Sequence, residues 1–160
     1  MPKAICVTGW KYEVNILSIM RTADGLGFDD LVLAGTQKLD VDRIKKIAKR
    51  NLVDLVGGLH LVYLPDIDAV WQFIHEKHYT PVVMECNKGT GTNLDDFTWP
   101  NNPIIVLGHE VVGVPLQHFA GAQQVYMGMM RTATSMNLAC AASIAMYSLH
   151  LQEVKTKKVP

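Results

Sequence analysis

Arg21 is the one basic residue of NILSIMRTADGLG (15–27), and its neighbours are small. At about 100° per residue, Ile16, Ile19, Met20, Ala23 and Leu26 share one side of a helix, while Asn15, Ser18, Arg21, Thr22 and Gly25 share the other. A flank that meets only water ordinarily carries Lys and Glu, which solvate well and favour helix. A cation among slight groups instead admits close approach of a ligand; the plain alternative is a solvated helix charge. In GHEVVGVP (108–115), Gly108 and Gly113 bracket Glu110 directly after an apolar run. That pattern suits backbone approach to a ligand and equally suits a tight turn with an exposed glutamate. His109 beside Glu110 offers an acid/base pair by adjacency alone. In SMNLACAASIAMY, Ser135 is the expected N-cap and Asn137 falls in the first turn, ahead of an apolar stripe of Leu138, Ala141, Ala142, Ala145, Met146 and Leu149. On its own, this segment is a capped core helix.

Other combinations do less. GTG at 89–91 lacks the third glycine and the helix start of a dinucleotide loop. No GxxxxGK[ST] cradle for phosphate occurs. His75 and His78 have a spacing that two metal ligands on one helix use, but no third ligand accompanies them, and they read as surface residues. Cys6, Cys86 and Cys140 lie far apart with no CxxC pair, which suggests neither a disulfide framework nor a zinc site and fits a reducing compartment.

The elements that must position these groups follow from periodicity. Apolar runs with β-branched residues at 4–8, 31–34, 61–64, 81–84, 103–107 and 124–127 read as strands. Helical patterns lie between and after them at 14–26, at 40–50 opening on Asp40, at 66–78 opening on Asp66, near 115–120, and from about 134 to 151. This alternation predicts an α/β fold, a parallel sheet covered on both faces by crossover helices. Ligands in such sheets bind beyond the carboxyl ends of the strands. The loops to examine therefore begin ECNKGTG after 84, GHEVVGVP after 107 and GMMRTATSMN after 127. The 87–102 stretch, with NKGTGTN and WPNNP, reads as a loop.

At 160 residues the chain is expected to form a single domain, 1–160, with a sizeable core. Fifteen basic and fifteen acidic residues cancel, which argues against a non-specific nucleic-acid coat and leaves a local basic patch open. No signal peptide is evident at the N-terminus. The uncharged run from Thr132 to Gln152 is interrupted by Thr, Ser, Asn and His and reads as a buried helix rather than a membrane span. Ala139, Cys140, Ile144 and Tyr147 surround its apolar stripe, so a second subunit is the expected cover, giving an obligate homodimer.

Taken together, NILSIMRTADGLG, VLGHEVVGVP and MGMMRTATSMNLACAASIAMY, in this order and spacing, resemble the three signature motifs of the SpoU (TrmH-like) branch of the SPOUT RNA methyltransferases. The likeness covers residues 4 to 150 and includes Asn15, Arg21, the glycine that ends the first motif, and the Ser-Met-Asn-Leu of the third. Departures stand at His109, where the second motif usually has Asn or Pro, and at Gly128 and Arg131, where the third usually has Pro and Gly.

The resemblance implies S-adenosylmethionine-dependent methyl transfer to a ribose 2′-hydroxyl of RNA, on a Rossmann-like, mostly parallel sheet whose C-terminal part is tied in a trefoil knot. It assigns Arg21 as catalytic, Asn15 as its support, and Glu110, Ser135 and Asn137 as the remainder of the site. It places the cofactor against Met84, Glu85, Cys86, Leu107, Gly108, Glu110, Gly113, Met127, Met129, Ser135, Asn137 and Leu138. It implies a cytoplasmic enzyme that needs no metal and no membrane. Its nearest analogues are the minimal tRNA-modifying members, with ribosomal RNA as the alternative substrate. A non-catalytic RNA-binding homologue is the competing reading, favoured by His109 and Gly128. An oxidoreductase is suggested only by the βα alternation and lacks the glycine fingerprint.

Overall fold

The computed structural model describes residues 1–40, 57–84, 91–128 and 135–157. The central strands are short apolar runs: β1 Ala4–Val7, β2 Asp30–Ala34 and β6 Pro103–Leu107 are buried along their whole length. β3 (His60–Leu64), β4 (Thr80–Met84), β5 (Thr92–Asn93) and β7 (Gln123–Tyr126) complete a sheet of order β3-β2-β1-β6-β4-β7-β5, with every pairing parallel. A two-sided parallel sheet explains why β1, β2 and β6 read as continuous apolar runs rather than alternating ones.

The pleat sends alternate residues to opposite cores. Ile5, Val7, Leu31, Leu33, Ile105 and Leu107 face the core beneath α1 (Glu13–Gly25) and α3 (Leu138–Lys157). Ala4, Cys6, Val32, Ala34, Ile104 and Val106 face the core under α2 (Ile67–Lys77), together with Val70, Ile74 and Phe119. Helices therefore cover both faces, as expected.

Helix α2 opens as the sequence indicates, with the Asp66 carboxylate accepting from the Ala69 N–H at 2.9 Å. The piece near 115–120 is a single 3₁₀ turn, Leu116–Phe119. Three differences from the sequence reading stand out. α3 begins at Leu138 and runs to Lys157, and its N-cap is Asn137 rather than Ser135: the Asn137 Oδ1 accepts from the N–H groups of Ala139 at 2.9 Å and Cys140 at 3.2 Å. Within the stretch read as loop, Thr92–Asn93 pairs with β7, followed by a 3₁₀ turn at Leu94–Asp96. Asn15, assigned to the outer face of α1, is buried. The helix expected at 40–50 lies outside the described residues but for Asp40.

Sheet order dictates where a site can form. From β1 the chain builds outward through β2 and β3, whereas β6 and its neighbours occupy the other side of β1. The loops leaving β1 and β6 thus meet at the reversal of strand order, where open α/β sheets bind ligands. The Thr8 N–H closes that seam onto the Leu107 carbonyl at 2.9 Å.

Candidate active site

Beyond the carboxyl ends of β4, β6 and β7 lies a cavity of about 340 Å³, walled by apolar side chains that include Met84, Leu107, Met127, Leu138 and Ala141. Its polar rim is the turn 108–113. His109 and Gly113 exchange backbone hydrogen bonds at 3.2 and 2.9 Å, folding the chain back so tightly that a Cβ on Gly108 would fall 2.0 Å from the Gly113 carbonyl carbon. Only glycine fits there. Gly113 sits at φ 71°, a left-handed conformation that favours glycine again. These are the two glycines that bracket Glu110 in the sequence.

The turn presents Glu110 to α1. Its Oε1 accepts from the Asn15 Nδ2 at 2.9 Å and its Oε2 from the Lys11 N–H at 2.8 Å. The Asn15 Oδ1 in turn accepts from the Asn137 Nδ2 at 3.1 Å, and the Asn137 Oδ1 caps α3. Each amide has a donor and an acceptor partner, so both orientations are fixed. A single hydrogen-bonded chain therefore runs from the start of α3 through α1 to the β6 loop. Asn15, at its centre, is only 6% exposed.

Partial burial pushes the Glu110 carboxyl upward, but its own backbone N–H, the Asn15 amide, the Lys11 N–H and nearby His109 outweigh it and hold the group below the usual carboxylate range. Glu110 is thus an anion at neutral pH. The adjacency of His109 and Glu110 does not make an acid/base pair. The His109 Nδ1 instead accepts from the Val111 N–H at 3.0 Å, and its ring lies where a Cβ on Gly9 would come within 3.4 Å of Cδ2, so the imidazole helps build the turn.

Arg21 stands apart from this chain. It is exposed on α1, and among the described residues no acidic group pairs with it. The contacts of Asn15 run to Glu110 and Asn137, not to Arg21. The small residues beside the arginine have partly internal duties: the Ser18 hydroxyl donates to the Val14 carbonyl and that of Thr22 to the Ser18 carbonyl, both at 2.9 Å. Thr22 also meets Ser143 of α3 at 3.5 Å, so its size serves the packing of two helices. Gly25 has open space around it.

Of the residues expected to hold a cofactor, Met84, Leu107, Gly108, Glu110, Gly113, Met127, Ser135 and Leu138 line the cavity. Asn137 stands behind it as the cap of α3, and Glu85, Cys86 and Met129 lie outside the described residues. The sequence reading missed Val114 and Ala141 in the wall and the Lys11 backbone on Glu110. An apolar stripe flags Ala141 only as core, and no residue type advertises a backbone donor. Cys6 is buried, which pushes its thiol up to about 12 and leaves it inert. Among the described residues no cluster of three His, Cys, Asp or Glu forms a metal site, and no helix is long and apolar enough to cross a membrane.

A Rossmann-like parallel sheet with a cavity at its carboxyl edge, walled by the β6 turn and the segment entering the last helix, defines an α/β protein built to hold a small ligand there. The chain belongs to the SpoU rRNA methylase family, whose model matches residues 2–147. Among solved structures it is similar to the SpoU methyltransferase AviRb from Streptomyces viridochromogenes in complex with AdoMet, at 22% identity and TM-score 0.80, over 96% of this chain and 58% of that one. It is similar at 18% identity to a structure described as giving insight into 2-OH methylation of C/U34 on tRNA, with TM-score 0.79 over 97% and 99% of the two chains. The A. aeolicus TrmH/SpoU tRNA modifying enzyme aligns at 18% identity and TM-score 0.78, over 97% and 76%. The chain thus spans little more than half of AviRb. No curated protein matches it by sequence.

Proposed function

We propose that this chain transfers a methyl group from S-adenosylmethionine to a ribose 2′-hydroxyl of RNA, with tRNA as the substrate. The observation that carries the reading is the Glu110–Asn15–Asn137 chain, which locks the three family motifs together at the rim of a cavity of about 340 Å³. The cavity suits the cofactor chemically: Met84, Leu107, Met127, Leu138 and Ala141 offer apolar walls to a flat base, and the 108–113 turn offers backbone groups. When bound, the cofactor supplies an electrophilic methyl group.

The work left to the protein is to hold the ribose oxygen in line and to favour its deprotonated form. Glu110, held by Asn15 and the Lys11 N–H, keeps a fixed negative charge at the rim. A guanidinium does not give up its proton in proteins. Arg21 therefore acts as a fixed cation that grips the RNA phosphate and lowers the pKa of the neighbouring hydroxyl, whose proton passes to water. No side chain is required as a metal ligand.

The tRNA assignment draws on the relative described for tRNA C/U34, almost all of which is matched by this chain; ribosomal RNA is the alternative. The protein acts as a homodimer. Ile144, Tyr147 and Leu151 of α3 are exposed large apolar groups on one helix, a surface that a second copy would cover. The trefoil knot and a cytoplasmic location belong to the same reading. Calorimetry is the direct test of the cofactor: S-adenosylmethionine binds and NAD does not. Failure of S-adenosylmethionine to bind refutes the enzyme reading and favours a non-catalytic RNA-binding homologue.

A further inference from the structure

One aromatic ring beside the site is about half exposed. Tyr12 occupies the N-cap position of α1 and is 52% exposed. Its side chain makes no capping hydrogen bond, so the helix start forgoes the bond that Ser, Thr, Asp or Asn would supply there. Yet the residue is held in place. The Lys11 N–H before it and the Asn15 side chain after it both donate to Glu110, at 2.8 and 2.9 Å, and the Tyr12 carbonyl accepts from the Asn15 N–H at 3.0 Å. The carboxylate that rims the cavity thus fixes the backbone on both sides of the ring. The Lys11 Nζ lies 5.1 Å from the ring centroid, a cation–π contact that puts a positive charge beside the aromatic face.

We propose that Tyr12, with Lys11 over its ring, is a stacking platform for a nucleobase adjoining the reacting ribose. The proposal rests on the reading of the chain as an RNA 2′-O-methyltransferase. Single-stranded RNA is recognised by bases splayed out of their stack and laid on aromatic side chains, with nearby cations tracking the phosphates. A ring tied through its backbone to the cavity rim, and paired with a cation, has both parts of that chemistry. Because the formal charge of the whole chain is zero, phosphate contacts alone supply little affinity, and stacking carries more of it.

Steady-state methylation of tRNA by wild type, Tyr12→Ala and Tyr12→Trp, with sedimentation and S-adenosylmethionine binding in parallel, tests the platform. Tyr12→Ala is expected to raise KM for RNA about tenfold, on the scale of one lost base–aromatic stack. The kcat, cofactor affinity and sedimentation should stay as in wild type, and Tyr12→Trp should keep the wild-type KM. An unchanged KM in Tyr12→Ala overturns the proposal. So does a change of oligomeric state in that variant, which would make Tyr12 a contact between subunits. If wild type methylates no RNA, the functional reading fails by itself. Filter binding of the same RNA then decides the platform: about tenfold weaker binding by Tyr12→Ala supports it, and equal binding overturns it.

Discussion

The two ends of the sheet both bury polar networks, and they use them differently. At the amino end, Asp30 opens β2 almost fully buried and accepts from the Tyr79 hydroxyl at 2.7 Å, with the His60 Nδ1 3.4 Å from its other oxygen. Nearby, the buried Lys3 Nζ meets Glu153 at 2.6 Å and its backbone N–H donates to Asp29. Burial and the Asp30 carboxylate push the Tyr79 phenol well up, so it remains a donor. Every charge there is answered, and the network pins the start of the sheet to the end of α3. At the carboxyl end, the Glu110–Asn15–Asn137 chain is as fully paired, but it terminates on a cavity and lies on the helix of an arginine that no acidic group pairs among the described residues. Saturation alone therefore says structure; saturation next to open space and an unanswered cation says function.

The contrast breaks most sharply at Arg21. Because the buried face of α1 is untouched, Arg21→Ala should leave fold and S-adenosylmethionine affinity intact while methyl transfer falls about a hundredfold or more. Arg21→Lys should rescue poorly, since a point ammonium cannot reproduce a planar fork to phosphate. Near-normal turnover in the alanine variant removes Arg21 from the mechanism. Asn15→Ala should hurt both properties. It leaves the Glu110 Oε1 and the Asn137 Nδ2 without their partner, at a cost of about 1–3 kcal/mol in denaturant unfolding, and single-turnover methylation should fall about tenfold as the rim loosens.

At the opposite end, Tyr79→Phe should cost about 1 kcal/mol of stability and leave methylation unchanged, so a loss of turnover there would dissolve the distinction between the two networks. The smallest effect is expected at Ser18. Its hydroxyl bonds its own helix, so Ser18→Ala should move stability by no more than about 0.5 kcal/mol and leave KM for RNA alone.

Acid sharpens the comparison. Glu110 has a folded pKa below its ordinary 4.5. Its contribution to stability is therefore present above that value and is lost as pH falls through the depressed folded value. Acid unfolding of Glu110→Gln against wild type should show a gap that narrows as pH falls below 4.5, and a gap that widens in acid would contradict the assigned sign.

Much of this architecture is legible in local pattern. The buried strands appear as apolar runs because parallel strands are covered on both faces, and Asp66 announces α2 through a cap that depends on its own neighbours. Thr92–Asn93 carries no such signal; it is a strand only because β7 lies alongside. Asn15 is the instructive failure. A helical wheel assigns it to the outer face because it is polar, whereas it is buried by partners 95 and 122 residues away along the chain. Choosing Asn137 over Ser135 as the cap likewise depends on where α3 meets α1. The motifs named the residues of the site; which of them touch is a property of the fold.

The proposed reaction is methyl transfer to a ribose hydroxyl of RNA. Single-turnover reaction of the purified protein with S-adenosylmethionine and either tRNA or ribosomal RNA, followed by nucleoside mass spectrometry, tests it most directly. The expected product is a 2′-O-methylnucleoside in the tRNA digest, formed at least about a hundredfold more slowly by Arg21→Ala. A methyl group on a base, or no methylated nucleoside from either RNA, would contradict it.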